Sequence, residues 1–238
     1  MRLALDFDGV FWDSVGECYV TARKAYNQLY GTEAPQREQA FRSGRWLARV
    51  GSDFGLLLEL TREHDDLSRF PKAEWERQRA EFPRSKEFEG LFYRIREEAR
   101  NHDFATWVSS QGPYPGFLEE LPALRAHFGD PAIATTKDAA SVAALLAPLG
   151  LKLTVLGREF STDKKLQIGH LCEGWEVKPA DIWFVDDLLD NLRPVQETGA
   201  RVALAAWGYN TPEERQVARD EGIPVLELGS VARTLCAS

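Results

Sequence analysis

The sequence is poor in the residues that build metal clusters and disulfide frameworks. Its three cysteines, Cys18, Cys172 and Cys236, are scattered, form no CxxC and cannot all pair. They read as reduced thiols, which argues against a disulfide-stapled fold. The four histidines, His64, His102, His127 and His170, lie far apart without ligand spacing. That argues against a zinc site built on them. No apolar run reaches the roughly 20 residues of a membrane span. The N-terminus reads as a strand, Arg2 to Leu5, with nothing resembling a signal peptide. A basic surplus is also missing: 37 acidic residues stand against 29 basic ones, a formal charge of −8. This argues against a nucleic-acid binder, while a few local cations still suffice for an anionic substrate. Internal repeats and low-complexity linkers are absent as well. Together these absences predict a cytoplasmic protein with neither nucleic acid nor membrane as partner; a monomer or homodimer is expected.

What is present has a plan. The chain has 238 residues, 44% of them hydrophobic, enough for one core with a sizeable insertion or for two small domains. From about Gly112 onward, helical and strand-like segments alternate. "GFLEELPALRAHFG" is helical, "PAIATT" a buried strand, "DAASVAALLAPLG" a helix and "LKLTVLG" a strand. "DKKLQIGHLCEG" is helical and "DIWFVDD" a strongly apolar strand. "LLDNLRPVQETG" is a helix with a proline near its start, and "RVALAAWG" a strand. "TPEERQVARDEG" is a helix with Thr211 as N-cap and Pro212 at its first position, and "IPVLEL" ends the series. Such alternation predicts a parallel sheet covered on both faces. Residues 15–107 are instead rich in Arg, Glu, Trp and Phe at helical spacing. The expected architecture is an α/β core, residues 1–14 and 108–238, interrupted by a helical domain, residues 15–107.

Two acidic clusters carry the chemistry. "LALDFDGV" ends a buried strand with Asp6 and Asp8, and Gly9 permits a tight departure. "DIWFVDD" ends another with Asp186 and Asp187, and Asp190 follows. In an open parallel sheet, ligands gather outside the carboxyl ends of the strands. Adjacent carboxylates from two strand ends would repel if they met unpaired. Mg²⁺, with its preference for oxygen ligands and open positions for phosphate, offsets that repulsion. "IATTK" places Thr135 and Thr136 at a helix entry, where hydroxyls and free N–H groups suit a phosphoryl oxygen. Lys164 and Lys165 begin another helix, an end where cations are usually disfavoured. "FRSGRWLARVGSDFG" spaces Arg42, Arg45 and Arg49 by three and four, so one helical face could aim cations at an anionic group.

In chain order these motifs read DxD, Thr, Lys, DD. That order resembles the haloacid dehalogenase-like hydrolase superfamily, over the whole chain. "DFDGV" looks like its first motif, "AIATT" its second, "DKK" its third and "FVDDLLDN" its fourth. The helical insertion after the first motif, with "WDS" and "YPGFLEEL", resembles the phosphoglycolate-phosphatase-like members. The resemblance implies a Rossmann-like core with an inserted cap, and a Mg²⁺-dependent phosphatase acting on a small phosphorylated metabolite. It implies Asp6 as nucleophile and Asp8 as general acid and base. The metal would be held by Asp6, Asp187 and the backbone carbonyl of Asp8, with Asp186 and Asp190 as further contacts. Thr135 and one of the two lysines, Lys164 for preference, would hold phosphoryl oxygens. Asp8 argues for phosphate esters over 2-haloacids, whose dehalogenases lack that aspartate and use no metal. Alternatives of the same superfamily are a sugar phosphomutase, a metal-independent 2-haloacid dehalogenase and an inactive binding member. A phospho-receiver domain has its motifs in another order and is about half as long.

Overall fold

The computed structural model describes residues 1–237. The chain divides into two compact units. The first is formed by Met1–Asp13 and the chain from Pro113 onward, the second by Ser14–Gly112.

The first unit holds a six-stranded, all-parallel sheet in the order β5-β4-β1-β6-β7-β8. Its strands are β1 (Arg2–Leu5), β4 (Ala132–Ala134), β5 (Thr154–Leu156), β6 (Ile182–Asp186), β7 (Arg201–Ala205) and β8 (Val225–Leu226). Two further two-residue strands, β2 (Trp12–Asp13) and β3 (Gly112–Pro113), mark where the chain leaves and re-enters this unit. The central strands are apolar on both faces; all five residues of β6 are buried. Helices cover both faces of a parallel sheet, so such strands alternate little between apolar and polar. The connecting helices are α7 (Pro115–Phe128), α8 (Ala139–Leu146), α9 (Lys164–Trp175), α10 (Leu189–Gln196), α11 (Pro212–Asp220) and α12 (Val231–Cys236). On one side, Ala4, Ala134, Phe184 and Val202 of the sheet pack with Ile168, Leu171, Leu189 and Leu192 of α9 and α10.

The α/β expectation holds, with corrections in detail. Thr211 caps α11 as expected: its Oγ1 accepts from Glu214 N at 3.1 Å, and Glu214 Oε2 accepts from Thr211 N at 3.0 Å. Pro194 lies in the second half of α10, not near its start. Helix α12 (Val231–Cys236) follows "IPVLEL", the last element expected from the sequence.

The second unit is helical: α1 (Val15–Tyr30), α2 (Glu38–Ser43), α3 (Asp53–Leu60), α4 (Lys72–Glu81), α5 (Ser85–His102) and α6 (Phe104–Ser109). Gly31 closes α1 in the left-handed conformation, φ 67°. An aromatic spine fills the interior, with Phe41–Phe54 and Phe54–Phe92 ring centroids 5.9 and 5.1 Å apart. Because α6 runs to Ser109, the helical unit extends past the expected end at 107. No helix among the described residues is long and apolar enough to cross a membrane.

Candidate active site

β1 lies between β4 and β6. Strand order runs to opposite sides of β1 from this point, the place where ligands gather at the carboxyl ends of the strands in open parallel sheets. Register decides what fills it. Leu5 pairs with Val185, and Asp6 N donates to Val185 O at 2.8 Å. Asp6 therefore stands beside Asp186, the last residue of β6. Asp187 follows directly. Carboxylate oxygens of Asp6, Asp186 and Asp187 all lie within 4.8 Å of one another, and all three residues are buried.

Lys164, the first residue of α9, enters this cluster from the side. Its Nζ donates to Asp6 Oδ1 at 2.8 Å and to Ala134 O at 2.6 Å, and lies 3.5 Å from Asp186 Oδ2. These acceptors explain a lysine at a helix N-terminus, where the dipole alone disfavours it. The helix itself is capped by Asp163, whose Oδ1 accepts from Lys165 N at 2.8 Å. Lys165 is not part of the site: its side chain is 48% exposed and its amine lies 3.7 Å from Glu197. Asp190 also turns outward, toward Arg193 at 3.9 Å.

The charges decide the protonation. Burial pushes the Asp6 carboxyl up to about 7; Lys164 opposes this, and Asp186 and Asp8 reinforce it. Burial acts to lower the Lys164 amine, but Asp6 and Asp186 outweigh it and the amine is raised. Asp186 is held by donors rather than left open. Its Oδ1 accepts from Leu188 N at 2.9 Å, and Asn191 Nδ2 lies 3.1 Å from each oxygen. Asp187 Oδ2 accepts from Tyr209 N at 2.6 Å, and its backbone carbonyl accepts from Asn210 Nδ2 at 3.0 Å.

Two glycines press against Asp187. A Cβ on Gly9, whose φ is 90°, would stand 2.1 Å from Asp187 Oδ2. One on Gly208 would stand 2.3 Å from Asp187 Cβ and from Gly9 O. Backbone thus approaches the carboxylate where no side chain fits. Three buried carboxylates with one lysine leave surplus negative charge around hard oxygen donors. This donor set fits a hard divalent cation such as Mg²⁺.

Asp8 lies on the turn after β1. Phe7 O accepts from Phe11 N and Trp12 N at 3.0 and 2.9 Å, and Gly9 N donates to Trp12 O at 2.8 Å. The Asp8 carboxylate is not in the acidic cluster; it faces Lys137, whose Nζ lies 3.3 and 3.4 Å from its two oxygens. Thr135 is buried at the end of β4, and its Oγ1 accepts from Lys137 N at 3.1 Å. Thr136 is half-buried and does not open a helix. Helix α8 starts three residues later, with Asp138 as cap accepting from Ser141 N at 2.8 Å.

The expected arginine face is not formed. Helix α2 ends at Ser43, so Arg42 is on α2, Arg45 on a 3₁₀ turn and Arg49 beyond it. Arg42 pairs with Glu38 at 2.8 Å, Arg45 is buried and donates to Ala48 O at 2.7 Å, and Arg49 donates to Trp46 O. Gly44 breaks the helical spacing that the sequence pattern assumed.

Sequence reasoning missed Lys137, Asn191, Asn210 and Gln167. Gln167 is fully buried, and its Nε2 donates to Thr135 O, Leu156 O and Ser161 O at 2.9, 3.0 and 2.7 Å. A polar residue one turn after Lys164 on a buried helix face was the available signal.

No family model matches the chain. It is 30% identical over 117 residues to the phosphoglycolate phosphatase of Nitrosospira multiformis, over 47% of this chain and 51% of that protein. The chain thus covers about half the length of that curated relative. Among solved structures, it is similar to one described as a predicted phosphoglycolate phosphatase from Haemophilus somnus, with TM-score 0.65, 18% identity and coverage of 98% and 97%. It is also similar to a haloacid dehalogenase-like family protein from Streptococcus pneumoniae, with TM-score 0.66, 13% identity and coverage of 100% and 98%. The chain shares the fold of these two solved structures.

Proposed function

We propose that this chain is a magnesium-dependent phosphatase that hydrolyses a small phosphomonoester through an aspartyl phosphate on Asp6. The observation that carries the reading is the meeting of Asp6, Asp186, Asp187 and Lys164 at the carboxyl ends of β1 and β6. Mg²⁺, held by Asp6 and Asp187 with Asp186 and the Asp8 carbonyl alongside, would supply positive charge against the phosphoryl oxygens.

The side chains divide the remaining work. An Asp6 oxygen attacks phosphorus, and the bond to the leaving oxygen breaks with its electron pair going to that oxygen. Asp8 gives it a proton and becomes a carboxylate. Asp8 then takes a proton from water, whose oxygen attacks phosphorus and releases Asp6 and phosphate. The covalent intermediate splits one difficult displacement into two. Lys164 keeps Asp6 oriented and favours its ionised form. Thr135, whose hydroxyl oxygen already accepts from Lys137 N, directs its proton to a phosphoryl oxygen. In this reading the helical unit is the cap domain, and the protein works in the cytoplasm on a small phosphorylated metabolite. The half-length likeness to a phosphoglycolate phosphatase makes phosphoglycolate the first substrate to try.

Phosphate release from p-nitrophenyl phosphate and from phosphoglycolate, with and without Mg²⁺, tests the reading. Wild type should turn over with Mg²⁺ and Asp6→Asn should not. Halide release from a 2-haloacid without metal would replace it by a dehalogenase. Phosphoryl movement between sugar positions without free phosphate would replace it by a mutase. Absence of turnover across a panel of phosphate esters would leave a binding member.

A further inference from the structure

We infer that Lys137 is a positioning residue that fixes the Asp8 carboxylate for proton transfer. The inference rests on the phosphatase reading above and deepens it. Lys137 is 2% exposed, and its ammonium lies 3.3 and 3.4 Å from the two oxygens of Asp8. Both partners are anchored at their backbones. Lys137 N donates to Thr135 Oγ1 at 3.1 Å, and Lys137 O accepts from Arg158 N at 3.1 Å. On the other side, the turn carrying Asp8 is closed by Gly9 N donating to Trp12 O at 2.8 Å.

A carboxylate on two rotatable bonds otherwise samples several orientations. Fixing one of them supplies the alignment that proton transfer needs in the transition state. The Asp8 side chain is 17% exposed while the Lys137 side chain is 0% exposed. The lysine therefore holds Asp8 from the protein side and leaves its other side open. A buried ion pair is a poor source of net stability, so stability alone does not account for a fully buried lysine here. The lysine also comes from the loop after β4, the same loop that presents Thr135. One loop thus places the phosphate-facing hydroxyl and orients the proton donor.

The test compares leaving groups. Nitrophenolate is stable enough to leave without a proton; an alkoxide, such as that of an alkyl phosphate, is not. The ratio kcat/KM covers steps up to loss of the leaving group, so later water attack does not enter it. Lys137→Met should lower kcat/KM for an alkyl phosphate by about a hundredfold, within the range of acid–base contributions. It should change kcat/KM for p-nitrophenyl phosphate by no more than a few-fold. In an Asp8→Asn background, Lys137→Met should have no further effect on either substrate. Equal losses on both substrates, or an added loss in the Asp8→Asn background, would overturn the inference. If Lys137→Met does not fold, Lys137→Arg, which keeps the charge but moves it, carries the same comparison. A wild type inactive on both esters would instead overturn the phosphatase reading itself.

Discussion

Lys164 Nζ stands 2.8 Å from Asp6 Oδ1, inside a cluster that also holds Asp186 and Asp187. Its neighbour Lys165 faces outward beside Glu197. The two lysines are adjacent in sequence and opposite in consequence. Lys164→Met should lower kcat by about 10²–10³, the loss typical of removing one preorganised donor. Lys165→Met should stay within about twofold, as for surface changes away from special features. Steady-state kinetics on an aryl phosphate decides. Comparable losses in both variants would sink the assignment of Lys164.

The raised Asp6 carboxyl makes stability depend on pH. Its ordinary value is 3.8, and in the folded chain it is about 7. Across that window the folded protein holds a proton that the unfolded chain has released. Metal-free stability therefore falls as pH rises from about 4 to about 7, and this contribution is constant above. Mg²⁺ needs the ionised carboxylate, so its affinity should fall up to about tenfold per pH unit below about 7. Urea midpoints at several pH values, for wild type and Asp6→Asn, isolate the Asp6 contribution. Indistinguishable pH profiles for the two proteins would contradict it.

The two halves of this site differ in how they show in sequence. Asp6 and Asp186 end apolar runs, so strand ends and their carboxylates could be read directly, and motif order supplied the rest. Asp163 before Lys164 marked a helix entry, which favoured the lysine that lies beside Asp6. Lys137 was invisible because its partner, Asp8, is 129 positions away and no local pattern links them. The arginines failed for the opposite reason. Their spacing was helical, but Gly44 ends helix α2 and local carbonyls take up two of the guanidinium groups. Periodicity reports a face only while the helix continues.

Gly9 and Gly208 set the room around Asp187. At either position an added Cβ would lie 2.1–2.3 Å from Asp187 atoms, too close for any real contact. At Gly9 an alanine would also be strained by φ 90°, which glycine adopts freely. Gly9→Ala and Gly208→Ala should each weaken Mg²⁺ binding by at least about tenfold, the scale for disturbing the supports of metal ligands. Gly174→Ala, with open space at its Cβ, should leave binding unchanged. Titration calorimetry with Mg²⁺ measures this, and unchanged affinity in Gly208→Ala would remove the argument for a metal at Asp187.

The helical unit contains its own buried ion pair. Arg96 Nη2 lies 2.7 Å from Glu17 Oε2, with side chains 5% and 1% exposed. Arg96 Nε donates to Glu17 Oε1 at 2.9 Å, and Thr21 and Trp107 donate to the same oxygen at 2.8 and 3.3 Å. Arg96→Met leaves Glu17 buried with its charge uncompensated, although Thr21 and Trp107 still donate. The expected loss is about 3–5 kcal/mol, the range for breaking a buried pair from one side. Glu17→Gln in the Arg96→Met background removes that charge and should recover part of the loss. Urea unfolding of the single and double variants gives the coupling directly. If Arg96→Met loses less than about 1 kcal/mol, the pair is no anchor of α1 against α5.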